Sequence, residues 1–419
     1  MGSRRRQPTV ISLYTGAGGL DYGFEAAGFR TCFANDFDHD SCETIRRNRS
    51  WPVVEREIGQ VGSVELLGIA GLDRGEPDVL IGGPPCQPFS KSGYWARGEA
   101  GRLKDPRAAT LDEYLRVLED SLPRVFLLEN VHGIAYSSKN EGLELLLRRI
   151  REINERQGTS YQPRCAVLNA ASYGVPQLRE RFFMIAWREG VAFQFPAPTF
   201  RLAEDDNQQC SLVELPTYRT AWDALGDLSA PDDDDLAMRG KWAGLLPSIP
   251  EGENYLWHTD RGGGLPLFGW RRRYWTFLLK LAKSRPSWTI QAQPGPAVGP
   301  FHWENRRLSM RELCRLQTLP DDVVILGGLG SVQRQVGNAV PSLLAEVLAR
   351  EIKTQFLGWN PMSSPLKLLP PDRSPAPPPE RPGAVPKRFR ELIDNHAPHP
   401  GTGKGPRAVA NGHSSVVLR

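Results

Sequence analysis

The sequence predicts an α/β fold, a doubly wound and mostly parallel sheet followed by a second, smaller domain. Three observations predict it. Short apolar runs at Thr9–Tyr14, Thr31–Ala34, Val79–Gly82 and Val125–Leu128 alternate with helical spacing at Leu20–Ala27, Leu111–Leu122 and Gly142–Ile153, as parallel strands joined by helices do. From about Gly190 that alternation fades: residues 201–260 are acidic, with the run Asp232–Asp235, and residues 261–315 are basic and aromatic, with GWRRRYW at 269–275. Helical patterns resume at Ser309–Gln317 and Pro341–Phe356. Arg181–Trp187 reads as one more strand, and Tyr274–Lys283 as a helix inside the second domain.

A chain of 419 residues, 40% hydrophobic and 24% charged, is large enough for two domains with a sizeable core. It has no run of about 18 apolar residues, so no membrane span is expected. The basic start MGSRRRQPTV leads only into a short strand-like run, which does not suit a signal peptide. Arg6 also breaks the myristoylation pattern. The six cysteines (Cys32, Cys42, Cys86, Cys165, Cys210, Cys314) include no CxxC. That spacing points to reduced thiols in a cytoplasm and to no zinc or other metal site. The net charge of +4 comes from the end of the chain: residues 363–419 hold 9 Lys+Arg against 4 Asp+Glu, and the remainder 43 against 44. A near-neutral body restricts any polyanion contact to local patches. From about Pro361 the chain is Pro-rich with few large apolar residues. It reads as a disordered tail, removable after about Trp359 without loss of activity.

Five short stretches carry the chemistry. In SLYTGAGGLDYGF (12–24), strand, glycine-rich turn and helix make a frame for a nucleotide-type ligand at a helix N-terminus. Asp36, about 20 residues further on, suits ribose hydroxyls. The glycine spacing falls short of the dinucleotide GxGxxG, which turns the reading from NAD toward S-adenosylmethionine; a plain tight turn is the alternative. GGPPCQPFS (82–90) puts Cys86 at the exit of a buried strand, where ligands bind in parallel sheets. A thiolate there is a candidate nucleophile; a packed structural cysteine is the alternative. VFLLENVHGI (125–134) ends four apolar residues in Glu129-Asn130. A poorly solvated carboxylate at that exit has a raised pKa and can hold a proton; the plainer reading is a helix cap at Asn130. In YGVPQLRERFFMIA (173–186), Gln177, Arg179 and Arg181 alternate and should share one face of a strand. RQVGNAVPSLLAEVLA (334–349) reads as a Gly-Asn turn before a helix with Pro341 in its first turn.

In this order the blocks resemble the DNA (cytosine-5)-methyltransferase family over roughly residues 9–356. The matches are YTGAGG at 14–19, PPCQPFS at 84–90, ENV at 129–131, QLRER at 177–181, RRLSMRELCRLQTLPD at 306–321 and QVGNAVP at 335–341. The resemblance implies a Rossmann-like methyltransferase sheet in residues 8–190, completed by 330–358, and a target recognition domain in 191–329. It implies S-adenosylmethionine as cofactor, duplex DNA as partner and a flipped-out cytosine as substrate. Cys86 would add to carbon 6 of the base. Glu129 would hold ring nitrogen 3, Arg181 the base carbonyl, and Arg179 and Gln177 would line the site. Tyr14, Gly16, Ala17, Gly18, Gly19 and Leu20 would wrap the methionine end of the cofactor. Asp36 would take the ribose, Phe37 the adenine face, and Glu57 and Ile58 the adenine edge, with Glu57 standing where the family usually has Asp. Pro85 would fix the thiol beside the cofactor, and Asn338 and Val340 would close the pocket. Residues 90–103, with Ser90, suit a loop that closes over DNA. Arg271, Arg272 and Arg273 would reach phosphates and base edges.

The architecture further implies a monomeric bacterial modification enzyme, cytoplasmic and used on the nucleoid, a setting that admits a cognate restriction endonuclease acting on the same site. Two other readings stay open at this point. A transfer-RNA cytosine methyltransferase shares these blocks but tends to carry Cys-Phe-Thr in the recognition region, which residues 190–305 lack. A non-catalytic DNA-binding homologue would have lost Cys86 or Glu129, and both are present.

Overall fold

The computed structural model describes residues 6–85, 109–131, 141–202, 215–229, 236–270, 274–360 and 363–393. Cys86, Ser90, the loop 90–103, Asp232–Asp235 and Arg271–Arg273 lie outside the described residues.

Strands β1 (Thr9–Leu13), β2 (Arg30–Asp36), β3 (Val53–Glu55), β4 (Val79–Gly82), β5 (Val125–Asn130), β6 (Arg164–Asn169) and β8 (Glu180–Trp187) form one sheet of order β3-β2-β1-β4-β5-β8-β6. β3, β2, β1, β4 and β5 run parallel. β8 is antiparallel to both β5 and β6. The strand order reverses between β1 and β4, which opens a crevice beyond their carboxyl ends.

The near-continuous apolar strands follow from burial on both faces. Ile11, Leu13, Leu80, Phe126, Leu128, Phe182 and Met184 face one core, shared with α3 (Ser63–Ala70), α4 (Ala109–Ser121) and α5 (Glu141–Gln157). Val10, Val79, Ile81, Val125, Leu127, Phe183 and Ile185 face the other, shared with α1 (Gly19–Ala26) and α9 (Ser342–Phe356). Helix α2 (His39–Asn48) follows β2, capped by Asp38, which accepts from Ser41 N.

Gly19 and Gly23 lie one turn apart on α1, and both face the C-terminal block. A Cβ on Gly19 would sit 2.3 Å from the Val340 carbonyl oxygen, and one on Gly23 2.4 Å from Ala345 Cβ. Only a bare helix face lets residues 339–346 approach this closely, which is how the chain's end completes its first domain.

Residues 238–301 gather a core of their own around Trp242, Leu245, Tyr255, Phe268, Phe277 and Phe301. A third cluster joins Ala17 and Tyr22 to α6 (Ala221–Leu225), α7 (Met310–Leu316) and α8 (Leu329–Asn338). Phe193, expected in the second domain, packs instead with Phe356 on the first.

Three expectations need correction. Tyr274–Lys283 is not helical: Phe277 and Lys280 form bridges to Val298 and Phe301, and Phe277, Leu278, Leu279 and Leu281 are all buried. An apolar run buried on every side offers no polar helix face, so pairing with residues 297–301 satisfies its backbone instead. Gly337-Asn338 is the last turn of α8 rather than a loop, and Pro341 stands before α9 as its N-cap.

The tail is the third. Residues 363–393 are packed, not disordered. Buried Glu346 of α9 accepts from Lys367 N (2.9 Å) and Leu368 N (3.0 Å), while Arg350 donates to the Ser364 and Pro365 carbonyls. Leu366, Leu368 and Leu369 lie on the first domain's core. Asp372 then pairs with Arg219 at 2.7 Å, and Arg373 with Asp223 and Asp227. Helix α10 (Lys387–Arg390) sets Phe389 against Trp242, ring centroids 5.9 Å apart. Composition hid this because the anchors are few and widely spaced. Ending the chain after Trp359 would strip Glu346 of two donors and uncover Trp242, a loss of roughly 3–5 kcal/mol if it resembles removal of a core aromatic. A thermal melt of that truncation against the full chain should show a clearly lower transition; equal melting temperatures would mean the segment is dispensable.

Candidate active site

Register brings the site together. Leu13, Gly82 and Leu128 align across β1, β4 and β5, so Tyr14, Gly83 and Glu129 emerge side by side at the carboxyl edge. Glu129 pairs with Phe183, and Arg181 lies two residues from Phe183 on the same face of β8. That diagonal places Arg181 Nε 3.0 Å from Glu129 Oε1, with both side chains largely buried. A Cβ on Gly83 would sit 2.8 Å from Glu129 Oε2, so glycine there makes room for the carboxylate.

Burial pushes the Glu129 carboxyl above its ordinary range, against the pull of Arg181 and Arg179. Burial likewise lowers Arg181, which Glu129 opposes. A buried carboxyl with a raised pKa beside a specific cationic partner is the arrangement that acid–base groups share.

The segment that leads into Cys86 is tied to this pair. Asn130 Nδ2 donates to the Pro84 carbonyl (3.1 Å), so the Asn of ENV holds Gly83–Pro85, while its Oδ1 accepts from Val131 N (2.8 Å). Thr110 Oγ1 donates to the Pro85 carbonyl (3.0 Å), and Tyr14 Oη donates to the Thr110 carbonyl (2.7 Å). Thr110 thus joins the glycine-rich turn to the proline run. No local pattern in the sequence marks it, since it stands 96 residues from Tyr14 and 25 from Pro85.

Gln177, Arg179 and Arg181 do not share one strand. Gln177 belongs to β7 (Gln177–Leu178), which pairs with β9 (Ser287–Trp288), and Arg179 falls between β7 and β8. Gln177 Oε1 accepts from Ile290 N (3.0 Å), and its Nε2 donates to Gln317 Oε1 (3.0 Å). Arg179, fully buried, donates to the carbonyls of Ile290 (3.2 Å), Gly337 (2.7 Å) and Ala339 (2.9 Å). Gly337 and Ala339 close α8, so the guanidinium sits at a helix C-terminus, where a cation is favoured. These two side chains fasten the two halves of the chain. Of the three, only Arg181 bonds to Glu129.

The glycine-rich turn fits an adenosine-containing cofactor. Gly16 has φ +54 with open space where a Cβ would stand, and its N donates to Asp36 Oδ2 (2.8 Å). Asp36 also accepts from Asp38 N (2.9 Å), and a carboxylate keeps lone pairs for two hydroxyls. Burial raises the Asp36 pKa despite those hydrogen bonds. The Phe37 ring is 63% exposed, an apolar face with room for a flat partner. Ile58 is buried and Glu57 exposed at the end of β3; Val340 is buried and Asn338 exposed behind the turn. Ala17, Gly18, Gly19 and Leu20 are buried, so they shape the turn from below.

A model of the C-5 cytosine-specific DNA methylases matches residues 8–354. The chain belongs to that family. Type II methyltransferase M.SacI of Streptomyces achromogenes is 40% identical over 372 residues, covering 83% of this chain and 93% of that one. Type II methyltransferase M.NgoFVII of Neisseria gonorrhoeae is 32% identical over 363 residues, covering 85% and 89%. In fold, the chain is similar to the Entamoeba histolytica methyltransferase EhMeth (TM-score 0.56, 15% identity, 84% of this chain and 99% of that one). It is also similar to the S. pombe Dnmt2 methyltransferase (TM-score 0.55, 17% identity, 84% and 100%). This chain is thus a DNA (cytosine-5)-methyltransferase. No helix among its described residues is long and apolar enough to cross a membrane.

Beneath the turn, Asp21 of α1 is fully buried and accepts from Ser12 Oγ (3.0 Å) and Thr31 Oγ1 (3.4 Å). Burial pushes its carboxyl up to about 7. The folded protein then binds this proton more tightly than the unfolded chain, so the stability it contributes is lost as pH rises from about 4 through 7. Asp21→Asn removes the titration and keeps an acceptor. Melting curves should show the variant gaining on the wild type between pH 4 and 8. A pH-independent difference would refute the burial effect.

Proposed function

We propose that this methyltransferase transfers a methyl group from S-adenosylmethionine to carbon 5 of a cytosine flipped out of a specific duplex DNA site, through a transient Cys86 adduct. The observation that supports it most is the buried Glu129–Arg181 pair beside Gly83–Pro85, the run that precedes Cys86.

Carbon 5 of cytosine is a poor nucleophile. Cys86 Sγ, as thiolate, donates an electron pair to carbon 6, and the carbon 5–carbon 6 π pair becomes available at carbon 5. Ring nitrogen 3 takes a proton in the same event. Glu129 holds that proton, because burial favours its protonated form. Arg181, oriented by Glu129, donates to the base carbonyl. S-adenosylmethionine, when bound, supplies a sulfonium-activated methyl group. Methyl transfer would release S-adenosylhomocysteine; ring nitrogen 3 would return its proton to Glu129, carbon 5 would give its proton to a base, and that C–H electron pair would re-form the carbon 5–carbon 6 double bond as Cys86 departs as thiolate. Asp36 takes the ribose hydroxyls, Phe37 the adenine face, Glu57 and Ile58 its edge, and Tyr14 to Leu20 the methionine end. Asn338 and Val340 close the pocket, and Pro85 limits the freedom of the thiol. Ser90 and Arg271–Arg273 contact DNA. The enzyme acts as a monomer and protects a site that a partner endonuclease cuts, as modification enzymes of its relatives' kind do.

Duplex DNA prepared with 5-fluorocytosine tests the adduct. The wild type should form a denaturation-resistant complex in the presence of cofactor, and Cys86→Ala none. Tight DNA binding without trapping would favour a binding protein, and methyl transfer to transfer RNA alone would favour the RNA branch. Glu129→Gln should lower kcat by about 100-fold or more while the cofactor Kd holds. Equal losses in both would remove its assigned role.

A further inference from the structure

Among the described residues the exposed aromatic side chains are Phe37, Trp270, Trp275 and Trp288. Phe37 belongs to the cofactor crevice, and Trp270 carries the Arg261 guanidinium 4.0 Å over its ring. Trp275 and Trp288 are different. They meet edge to face, with ring centroids 4.2 Å apart at 84°, yet each stays more than a third exposed (38% and 36%). Indoles carry a large apolar face with a polar tip and are enriched at contact surfaces, and these two touch while both stay open to water.

Their place is fixed by the backbone just ahead of Arg181 in the chain. Trp288 pairs with Leu178 across β7 and β9, three residues before Arg181. Ser287 N donates to the Pro176 carbonyl (2.9 Å) and Thr289 Oγ1 to the Leu178 carbonyl (2.7 Å). Ile290 is held through N by Gln177 and through O by Arg179. Residues 287–290 are therefore stitched to residues 176–179, the β7 segment that leads into β8 and Arg181. Trp275 is anchored from the second domain, its carbonyl accepting from Asn254 Nδ2 (2.6 Å). Trp288 is thus fixed to the segment that leads into Arg181, and Trp275 to the second domain, so the pair spans the seam between the two halves.

We propose that Trp288, braced by Trp275, is a stacking surface for a DNA base next to the extruded cytosine. This rests on the DNA-methylating reading above. Extrusion leaves the flanking bases with an uncovered π-face, and an exposed indole fixed to the segment that leads into Arg181 can cover one. Stacking is indifferent to phosphate charge, so it contributes affinity without counterion release.

That difference gives the test. Full-length wild type, Trp288→Ala, Trp288→Phe and Trp275→Ala are compared for labelled methyl transfer to unmethylated plasmid DNA. Duplex Kd is measured at several salt concentrations. Trp288→Ala should raise the KM for DNA about 5- to 100-fold. The cofactor Kd and the slope of log Kd against log salt should not change. Trp288→Phe should recover most of the loss, and Trp275→Ala should show a smaller loss of the same kind. Wild-type KM in Trp288→Ala would overturn the proposal, as would a changed salt slope or a loss in Trp288→Phe equal to that in Trp288→Ala. Should Trp288→Ala fail to fold, Trp288→Phe and Trp275→Ala decide by the same criteria. A wild type that methylates no duplex at all would instead overturn the underlying functional reading.

Discussion

Everything at the centre of this molecule depends on keeping one carboxylate, Glu129, out of water at the end of an apolar strand. A buried charge of this kind is costly unless a partner of opposite sign stands beside it. Arg181 provides that partner at 3.0 Å, and it can do so only because β8 runs antiparallel to β5 with Phe183 opposite Glu129. Arg179 adds its field from behind while its own guanidinium is spent on three carbonyls. The outcome is a carboxyl whose pKa is raised by burial but whose geometry is fixed, the combination that proton-holding groups need.

The second constraint is closure. The chain visits the first domain, leaves it for the second and returns with α8 and α9. The bare face of Gly19 and Gly23 receives that return, and Gln177, Gln317 and Arg179 lock it through buried hydrogen bonds. Residues 363–393 then cross from the first core to the second, from Leu368 to Phe389. Both domains are therefore held by more than one crossing, and the crevice between them inherits its shape from those crossings.

Several elements were legible beforehand for a physical reason. β1, β4 and β5 announce themselves because strands buried on both faces must be apolar throughout, and the polar residues at their exits stand out against that background. The glycine-rich turn is visible because positive φ at Gly16 and close packing at Gly19 leave little choice of residue. The reading failed where local pattern and tertiary environment disagree. Residues 274–283 look helical in spacing, yet the stretch from Phe277 to Leu281 is buried throughout, and Gln177, Arg179 and Arg181 alternate in sequence while the strand breaks between them. Thr110 carries no signal at all, because its role exists only where three distant segments meet.

The sequence alone determined the class of fold, the family and the identity of the chemically able residues, since each is written in local composition: apolar strands, glycines where backbone must come close, a thiol and a carboxylate at strand exits. The tertiary structure decided which of them act together. Register selected Arg181 as the partner of Glu129 and turned Arg179 and Gln177 into fasteners. A few spaced contacts, Glu346 with residues 367 and 368 and Phe389 with Trp242, made a packed strap of a segment whose composition reads as disorder. Distances between residues far apart in the chain are set by how the whole folds, and no local pattern encodes them.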